Sequence, residues 1–333
     1  MCFTKSFSLQ SHLGITVVIP LHNQAHLLAL LLETLRVQTT AIDEILVVDN
    51  ASTDGAPEVA RRLGCRVVAL KTNTGFAHAV NTGWRTAKGT WIAILNSDVE
   101  LAPDWMERLL ASIGEAGFAT GTILQAKDPQ ALDGTYDLLS RAGCAWRAGF
   151  GQPARTVPSQ PSRIAIAPGT ACLFRRDVLE QLGGFDESFG SYLEDVDLGL
   201  RCIRAGISGV YVPEAVATHR GSATLGRWNP RVVRLISRNQ LRLVGRHYDR
   251  ALFNACFWHI LMGQLLWGLV AARHGVFYAW LRGKFEGIRE FHLEGSPSAP
   301  LQAFLLASER EIRHRATDAY WRWYFRLTAG AAH

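Results

Sequence analysis

Five polar clusters and one later histidine carry the side chains best suited to chemistry in this 333-residue sequence. Pro20-Leu21-His22-Asn23 offers either a ring that could stack on a base or an incidental loop histidine. Asp49-Asn50 sets an acid beside an amide, a pair able to read a pyrimidine edge or hold ribose hydroxyls. The adjoining Ser52, Asp54 and Gly55 equally suit a helix cap and a turn. Asn73-Thr74-Gly75 places a glycine where backbone could approach a phosphate or sugar, or where the chain simply turns. Asn96-Ser97-Asp98 presents a carboxylate, and hard divalent cations take oxygen ligands together with substrate phosphates. Glu194, Asp195 and Asp197 crowd three carboxylates into four residues. Such acids repel unless a cation or a task offsets the cost, although acids in a first helical turn also complement the helix dipole. His219 follows downstream, after a strand-like run at 209–212.

The elements that must position these clusters read as alternating short apolar strands and helices. Strands are expected at 15–20, 45–49, 66–70 and 91–96, and helices at 25–36, 57–63, 75–88 and 103–115. Uniformly apolar strands separated by helices predict a parallel sheet covered on both faces. Ligands then bind beyond the carboxyl ends of the strands, which is where the first four clusters fall. Residues 126–163 have weak periodicity and read as an excursion with short hairpins. Regular patterning returns at 164–174, followed by a helix at 177–182.

Composition narrows the class. Apolar residues make up 48% and charged residues 19%, enough for a packed core and too little bias for disorder. The six cysteines are scattered without a C-x-x-C pair, which argues against a disulfide framework or a structural zinc site and for a reducing compartment. The opening residues lack the apolar run of a signal peptide, so the expectation is a short leader at 1–13 and a catalytic part that is not exported. Charge is divided unevenly: residues 1–220 carry a net −3 and residues 221–333 a net +9, almost all of it arginine.

The basic end has its own pattern. Arg227, Arg231, Arg234, Arg238, Arg242, Arg246 and Arg250 recur at helical spacing from near Pro230. Residues 251–272 then run for 22 positions without a formal charge. That length could cross a bilayer, but Asn254, His259 and Gln264 dilute it and basic residues flank it. A helix buried in the protein or lying in the membrane interface is expected instead. Nucleic acid is disfavoured by the acidic crevice and by missing recognition motifs, and a dehydrogenase by the lack of G-x-G-x-x-G after the first strand.

Taken in order, the segments VVIPLHN, VVDNASTDG, NTGFAHAVNTG, LNSDVEL, GTACLFRRDVLEQLGGFDESF and EDVDLGLRCIRAG resemble the GT-A glycosyltransferases of family 2, over about residues 14–222. The rhamnosyltransferase-like branch also carries the Ser237-Arg238-Asn239 segment and a basic, apolar C-terminal region. The resemblance implies an α/β GT-A fold with a nucleotide-sugar half at 14–125, an acceptor half at 126–222 and a helical region at 223–333. It further implies that Asp98 and His219 bind Mg2+ or Mn2+ bridging a nucleotide diphosphate. Asp195 matches the catalytic base, with Glu194 beside it on the acceptor side. Pro20, His22, Asn23, Asp49, Asn50, Asn73, Gly75, Asn96 and Ser97 match positions around the donor. Two departures stand out: the usual Asp-x-Asp is Asn96-Ser97-Asp98, and the usual paired acids after the second strand are Asp49-Asn50.

The implied activity is an inverting, metal-dependent transfer of L-rhamnose from dTDP-rhamnose to a saccharide or polyprenyl-diphosphate-linked acceptor in cell-surface polysaccharide synthesis. The alternatives are a UDP-hexose-using transferase or an inactive nucleotide-sugar-binding scaffold. The arginine series beside an uncharged aromatic helix implies peripheral attachment to the cytoplasmic face of the membrane.

Overall fold

The computed structural model describes residues 14–221 and 228–330. The leader expected at 1–13 and Arg227 of the arginine series lie outside the described residues. The chain opens with β1 (Ile15–Leu21), α1 (Ala25–Arg36), β2 (Glu44–Asp49), α2 (Ala56–Arg62), β3 (Arg66–Ala69), α3 (Phe76–Thr86) and β4 (Trp91–Leu95). Here β1 lies between β2 and β4, and β3 pairs with β2, all in parallel. Pairing of β1 with β4 ends at Val18, so the N–H missing at Pro20 breaks no rung on that side.

Beyond β4 the sheet is mixed rather than wholly parallel. After β5 (Val99–Leu101) and α4 (Trp105–Ile113) come β6 (Phe118–Gln125), β7 (Asp128–Gly134), β8 (Asp137–Leu139), β9 (Ala145–Arg147) and β10 (Ser162–Ile164). Next are β11 (Ala171–Arg175), α5 (Arg176–Leu182), α6 (Glu194–Arg204) and β12 (Gly209–His219). The main order is β10-β12-β6-β11-β4-β1-β2-β3, and β11 runs antiparallel to both β4 and β6. A parallel neighbour needs a crossover connection; β11 instead returns from the 126–170 excursion and enters from the opposite end. Within that excursion β8 and β9 form a separate two-stranded sheet.

Strand alternation divides the core. Ile15, Val17 and Ile19 face α1 and α4, whereas Val18, Ile92 and Ile94 face α3. The C-terminal helices are α7 (Pro230–His247), α8 (Arg250–Arg273), α9 (Phe277–Arg289), α10 (Ala299–Arg315) and α11 (Ala319–Thr328). They are no detached appendage: Ile312, Trp321, Tyr324 and Phe325 share a cluster with Tyr136 and Trp146, and Val244 packs with Val196 and Leu200 of α6. The described cysteines are all buried free thiols.

The arginine series differs most from expectation. Arg234 pairs with Glu286, Arg242 with Glu290, and Arg246 with Asp186, while Arg238 donates to the Phe189 carbonyl. Periodicity places these side chains along one helix but cannot say what lies against it. Here α9 and the segment before α6 do, so most of the stripe serves internal packing. Gly283 and Gly287 make this contact close, since a Cβ at Gly283 would lie 2.2 Å from the Arg234 carbonyl oxygen.

Candidate active site

At the carboxyl ends of β1, β2 and β3, loops are tied to one another by side chains. Asn50, buried at the end of β2, accepts from Thr74 N at 2.8 Å and donates to the Gly75 carbonyl at 3.0 Å and to Asn73 Oδ1 at 3.2 Å. His22 Nδ1 lies 3.0 Å from the Asn50 carbonyl. Asp49 Oδ1 accepts from Ser52 N, and Ser52 Oγ accepts from Asn23 N, at 3.0 and 2.8 Å. Asn23, Gln24 and Ala51 all sit in the left-handed region, with φ between 62° and 70°. Such residues persist only where surroundings over-determine them, and they gather at functional sites. The neighbour that Gly75 approaches is Gly190: at φ 91° a Cβ here would lie 2.6 Å from the Gly190 carbonyl oxygen.

The next strand end brings Asp98 to His219. Antiparallel pairing of β5 with β12 sets His219 opposite Val99. His219 Nε2 lies 3.3 Å from Asp98 Oδ1, and His219 Nδ1 lies 2.9 Å from Asp133 Oδ2. Burial opposes the imidazolium, but hydrogen bonds and charge from Asp133 and Asp98 carry its pKa up to about 9. Ser97 donates to Gln24 Oε1 at 2.9 Å, and Asn96 N donates to the Thr170 carbonyl at 2.9 Å.

The acids after residue 193 lie on the other side of a single backbone step. Asp195 Oδ2 accepts from Gly169 N at 2.9 Å, and Oδ1 accepts from Val196 N at 2.9 Å. Gly169 thus holds Asp195 while its successor, Thr170, holds Asn96. Burial and then the nearby charge of Asp137 raise the Asp195 pKa, with Arg147 and the two amides opposing. Burial and Asp195 push Glu194 well above the ordinary carboxylate range, and among the described residues its buried Oε2 meets no hydrogen-bond partner. Asp197 points elsewhere, into a pairing with His247 at 2.9 Å and Arg201 at 2.8 Å.

Three residues that the sequence reading missed connect the two sides. Asp133 of β7 orients His219, Arg147 of β9 lies 4.0 Å from Asp133, and Arg147 forms an ion pair with Asp137 of β8 at 2.7 Å. The row Asp98–His219–Asp133–Arg147–Asp137 therefore runs from β5 to the β8–β9 hairpin, with Asp195 in electrostatic reach of Arg147. No periodic signal marks these residues; a Gly134 flanked by Asp133 and Asp137 in a weakly patterned segment was the available hint. Among the described residues, no group of three or more His, Cys, Asp or Glu side chains is arranged to hold a metal unaided. Asp98 and His219 nonetheless fit one: carboxylate oxygen and imidazole nitrogen are suitable donors, and Asp133 supplies the outer hydrogen bond that typically orients a ligating histidine.

This architecture is the GT-A fold. A mannosyltransferase from Pyrobaculum calidifontis, solved with GDP-Man and Mn2+, superposes with TM-score 0.53 at 19% identity over 96% of this chain and 86% of that one. GalNAc-T7, solved with UDP, GalNAc and Mn2+, gives 0.58 at 14% identity over 87% and 59%. Residues 16–183 match the family described as Glycosyl transferase family 2. The chain is a glycosyltransferase belonging to that family. An N-acetylglucosaminyl-diphospho-decaprenol L-rhamnosyltransferase of Mycobacterium tuberculosis is 30% identical over 227 residues, 59% of this chain and 72% of the relative. A pre-mycofactocin glycosyltransferase of the same species is 30% identical over 66% of this chain and 45% of the relative.

Proposed function

We propose that this chain is an inverting, metal-dependent transferase that moves a sugar from a nucleotide diphosphate to a hydroxyl of a lipid-linked or saccharide acceptor. The observation that supports this reading is the Gly169-Thr170 step: Gly169 N binds the Asp195 carboxylate and the Thr170 carbonyl binds Asn96 N, which ties the proposed base and the Asn96-Ser97-Asp98 segment to consecutive residues. In the reaction the acceptor oxygen bonds to the anomeric carbon as the sugar–phosphate bond breaks, and the nucleotide diphosphate departs. Asp195 takes the acceptor proton, a task suited to a carboxylate whose burial makes it a better base. A divalent cation bound through Asp98 and His219 would neutralise charge on the departing diphosphate. Glu194 lines the acceptor side, and the loops at Pro20–Asn23, Asp49-Asn50 and Asn73–Gly75 hold the nucleotide.

The rhamnosyltransferase relative supports L-rhamnose as the sugar and a polyprenyl-diphosphate-linked acceptor; dTDP-rhamnose as the donor and a place in cell-surface polysaccharide synthesis belong to the same proposal. The proposed units are a donor half at 14–125, an acceptor half at 126–222 and a helical region at 223–333. Asp195→Asn should abolish transfer of rhamnose while dTDP still binds with Mn2+; retained turnover would reject the assignment.

Peripheral attachment to the cytoplasmic membrane face belongs to the same proposal, with the contact on a surface other than the arginine stripe. Of fifteen exposed large apolar side chains among the described residues, thirteen lie in the C-terminal helices, ten of them on α8 and α9. On α8 they are Phe257, Trp258, Leu261, Leu265 and Leu269, and on α9 Phe277, Tyr278, Leu281, Phe285 and Ile288. Trp258 Nε1 donates to the Leu327 carbonyl, joining α11 to this surface. Only 39% of the most apolar α8 window is buried in the protein, so this helix keeps an open face. Arg289 over Phe285 and Arg326 over Trp323 supply charge suited to anionic headgroups.

A further inference from the structure

The Ser237-Arg238-Asn239 segment lies beyond the residues matched to the family, on α7, and its asparagine is fully buried. Asn239 Nδ2 donates to three carbonyls of one turn: Phe189 at 3.1 Å, Ser191 at 3.0 Å and Tyr192 at 2.7 Å. Its Oδ1 accepts from Arg238 Nε at 2.9 Å, which fixes the amide's orientation. Arg238 also donates to the Phe189 carbonyl at 2.7 Å, and Arg242 to that of Ser188. Every one of these bonds to a carbonyl falls within 188–193, the segment that leads directly into Glu194 and Asp195.

This turn needs an outside hold. Tyr192 and Leu193 both sit in the left-handed region, at φ 70° and 71°, which neither side chain favours. The donor side meets the same turn, since the Gly190 carbonyl accepts from Ala77 N at 3.0 Å and Ser191 Oγ accepts from Phe76 N at 3.1 Å.

We infer that Asn239 is a positioning residue: through the 188–193 turn, a C-terminal helix sets where Asp195 stands relative to the acceptor. The inference rests on Asp195 acting as the base. Removing the amide donors leaves three carbonyls to find other partners and frees a strained turn, and a displacement of about 1 Å in a catalytic group can cost roughly 100-fold in rate.

The test compares Asn239→Asp and Asn239→Ala with the wild-type full chain. Asn239→Asp keeps the side-chain shape and removes both donors. Ser237→Ala serves as control, because its hydroxyl accepts from Trp267 Nε1 at 3.0 Å, on the α8 side. The readouts are rhamnose transfer from dTDP-rhamnose, dTDP affinity with Mn2+, and amide hydrogen exchange over 188–196. The Asn239 variants should lose roughly 100-fold in kcat with nucleotide affinity within about threefold. Faster exchange should be confined to the turn, and Ser237→Ala should match the wild type. Transfer within about threefold of wild type, with unchanged exchange, overturns the inference. A loss explained wholly by a smaller folded fraction, with kcat per folded molecule intact, overturns it as well. If the wild type itself transfers no sugar, the proposed reaction fails, and exchange in the turn still decides whether Asn239 holds it.

Discussion

Arg147 grips Asp137 at two points, with Nε donating to Oδ1 at 2.7 Å and a terminal nitrogen donating to Oδ2 at 3.1 Å. The two residues face each other across the β8–β9 hairpin. The pairing cancels a negative charge that would otherwise bear on Asp195, and the guanidinium itself favours the ionised Asp195 carboxylate.

Replacing that guanidinium should therefore move the pH profile. In Arg147→Gln the uncompensated Asp137 raises the Asp195 pKa further, so its carboxylate form is lost at a higher pH. The acid limb of the rate profile should shift upward by about one unit, with the deficit larger at pH 6 than at pH 9. An acid limb that stays where it is in the wild type would detach Arg147 from the base.

Asp133→Asn should weaken the metal response rather than the fold. His219 would lose the carboxylate that holds its Nδ1, and such outer partners typically affect metal affinity by about 10- to 100-fold. The concentration of Mn2+ needed for half-maximal dTDP binding should rise by that factor. An unchanged Mn2+ titration would place Asp133 outside the metal's support.

Asp197 gives a stability prediction with a defined sign. Burial alone would raise its pKa, but the His247 hydrogen bond and the Arg201 charge lower it below the ordinary value. A depressed carboxylate stabilises the folded state above its unfolded pKa of about 4, and that contribution is lost as pH falls through the folded value. Asp197→Ala should cost about 3–5 kcal/mol in urea unfolding at pH 7 by leaving His247 and Arg201 without their carboxylate. The gap to wild type should narrow as pH drops below about 4. A gap independent of pH would contradict the charge pairing.

On the apolar surface, Leu281→Glu with Phe285→Glu should abolish sedimentation with anionic liposomes while leaving the melting temperature nearly unchanged, because both side chains are already exposed. Wild-type sedimentation should fall with added salt, each basic residue at the surface contributing about 1 kcal/mol. A wild type that remains in solution beside such vesicles at low salt would remove membrane attachment from the proposal.

How far the sequence could be read follows from where periodicity speaks. The strands ending at Asp49 and Leu95 were legible because buried parallel strands are short apolar runs, each followed at once by polar residues. Asp98 and His219 were legible as an ordered pair, although their contact depends on β5, a three-residue strand too short to show a pattern. Asp133, Asp137 and Arg147 were not legible, because hairpins stitched by cross-strand side chains leave no repeat. The arginine series was visible but misassigned, since spacing reports a face and not its neighbour. Glu286 on α9 and Glu290 just past its end, four residues apart, were the sign that Arg234 and Arg242 had partners inside the chain.

The margins of the large sheet bear on self-association. At one end β3 has four residues and begins with Arg66; at the other β10 has three and contains Arg163. Brief margins bearing cations make poor templates for strand addition. Concentrated stocks should accordingly resist fibril growth by edge-to-edge stacking, and any clumping should trace instead to the greasy helical surface, where detergent would reverse it.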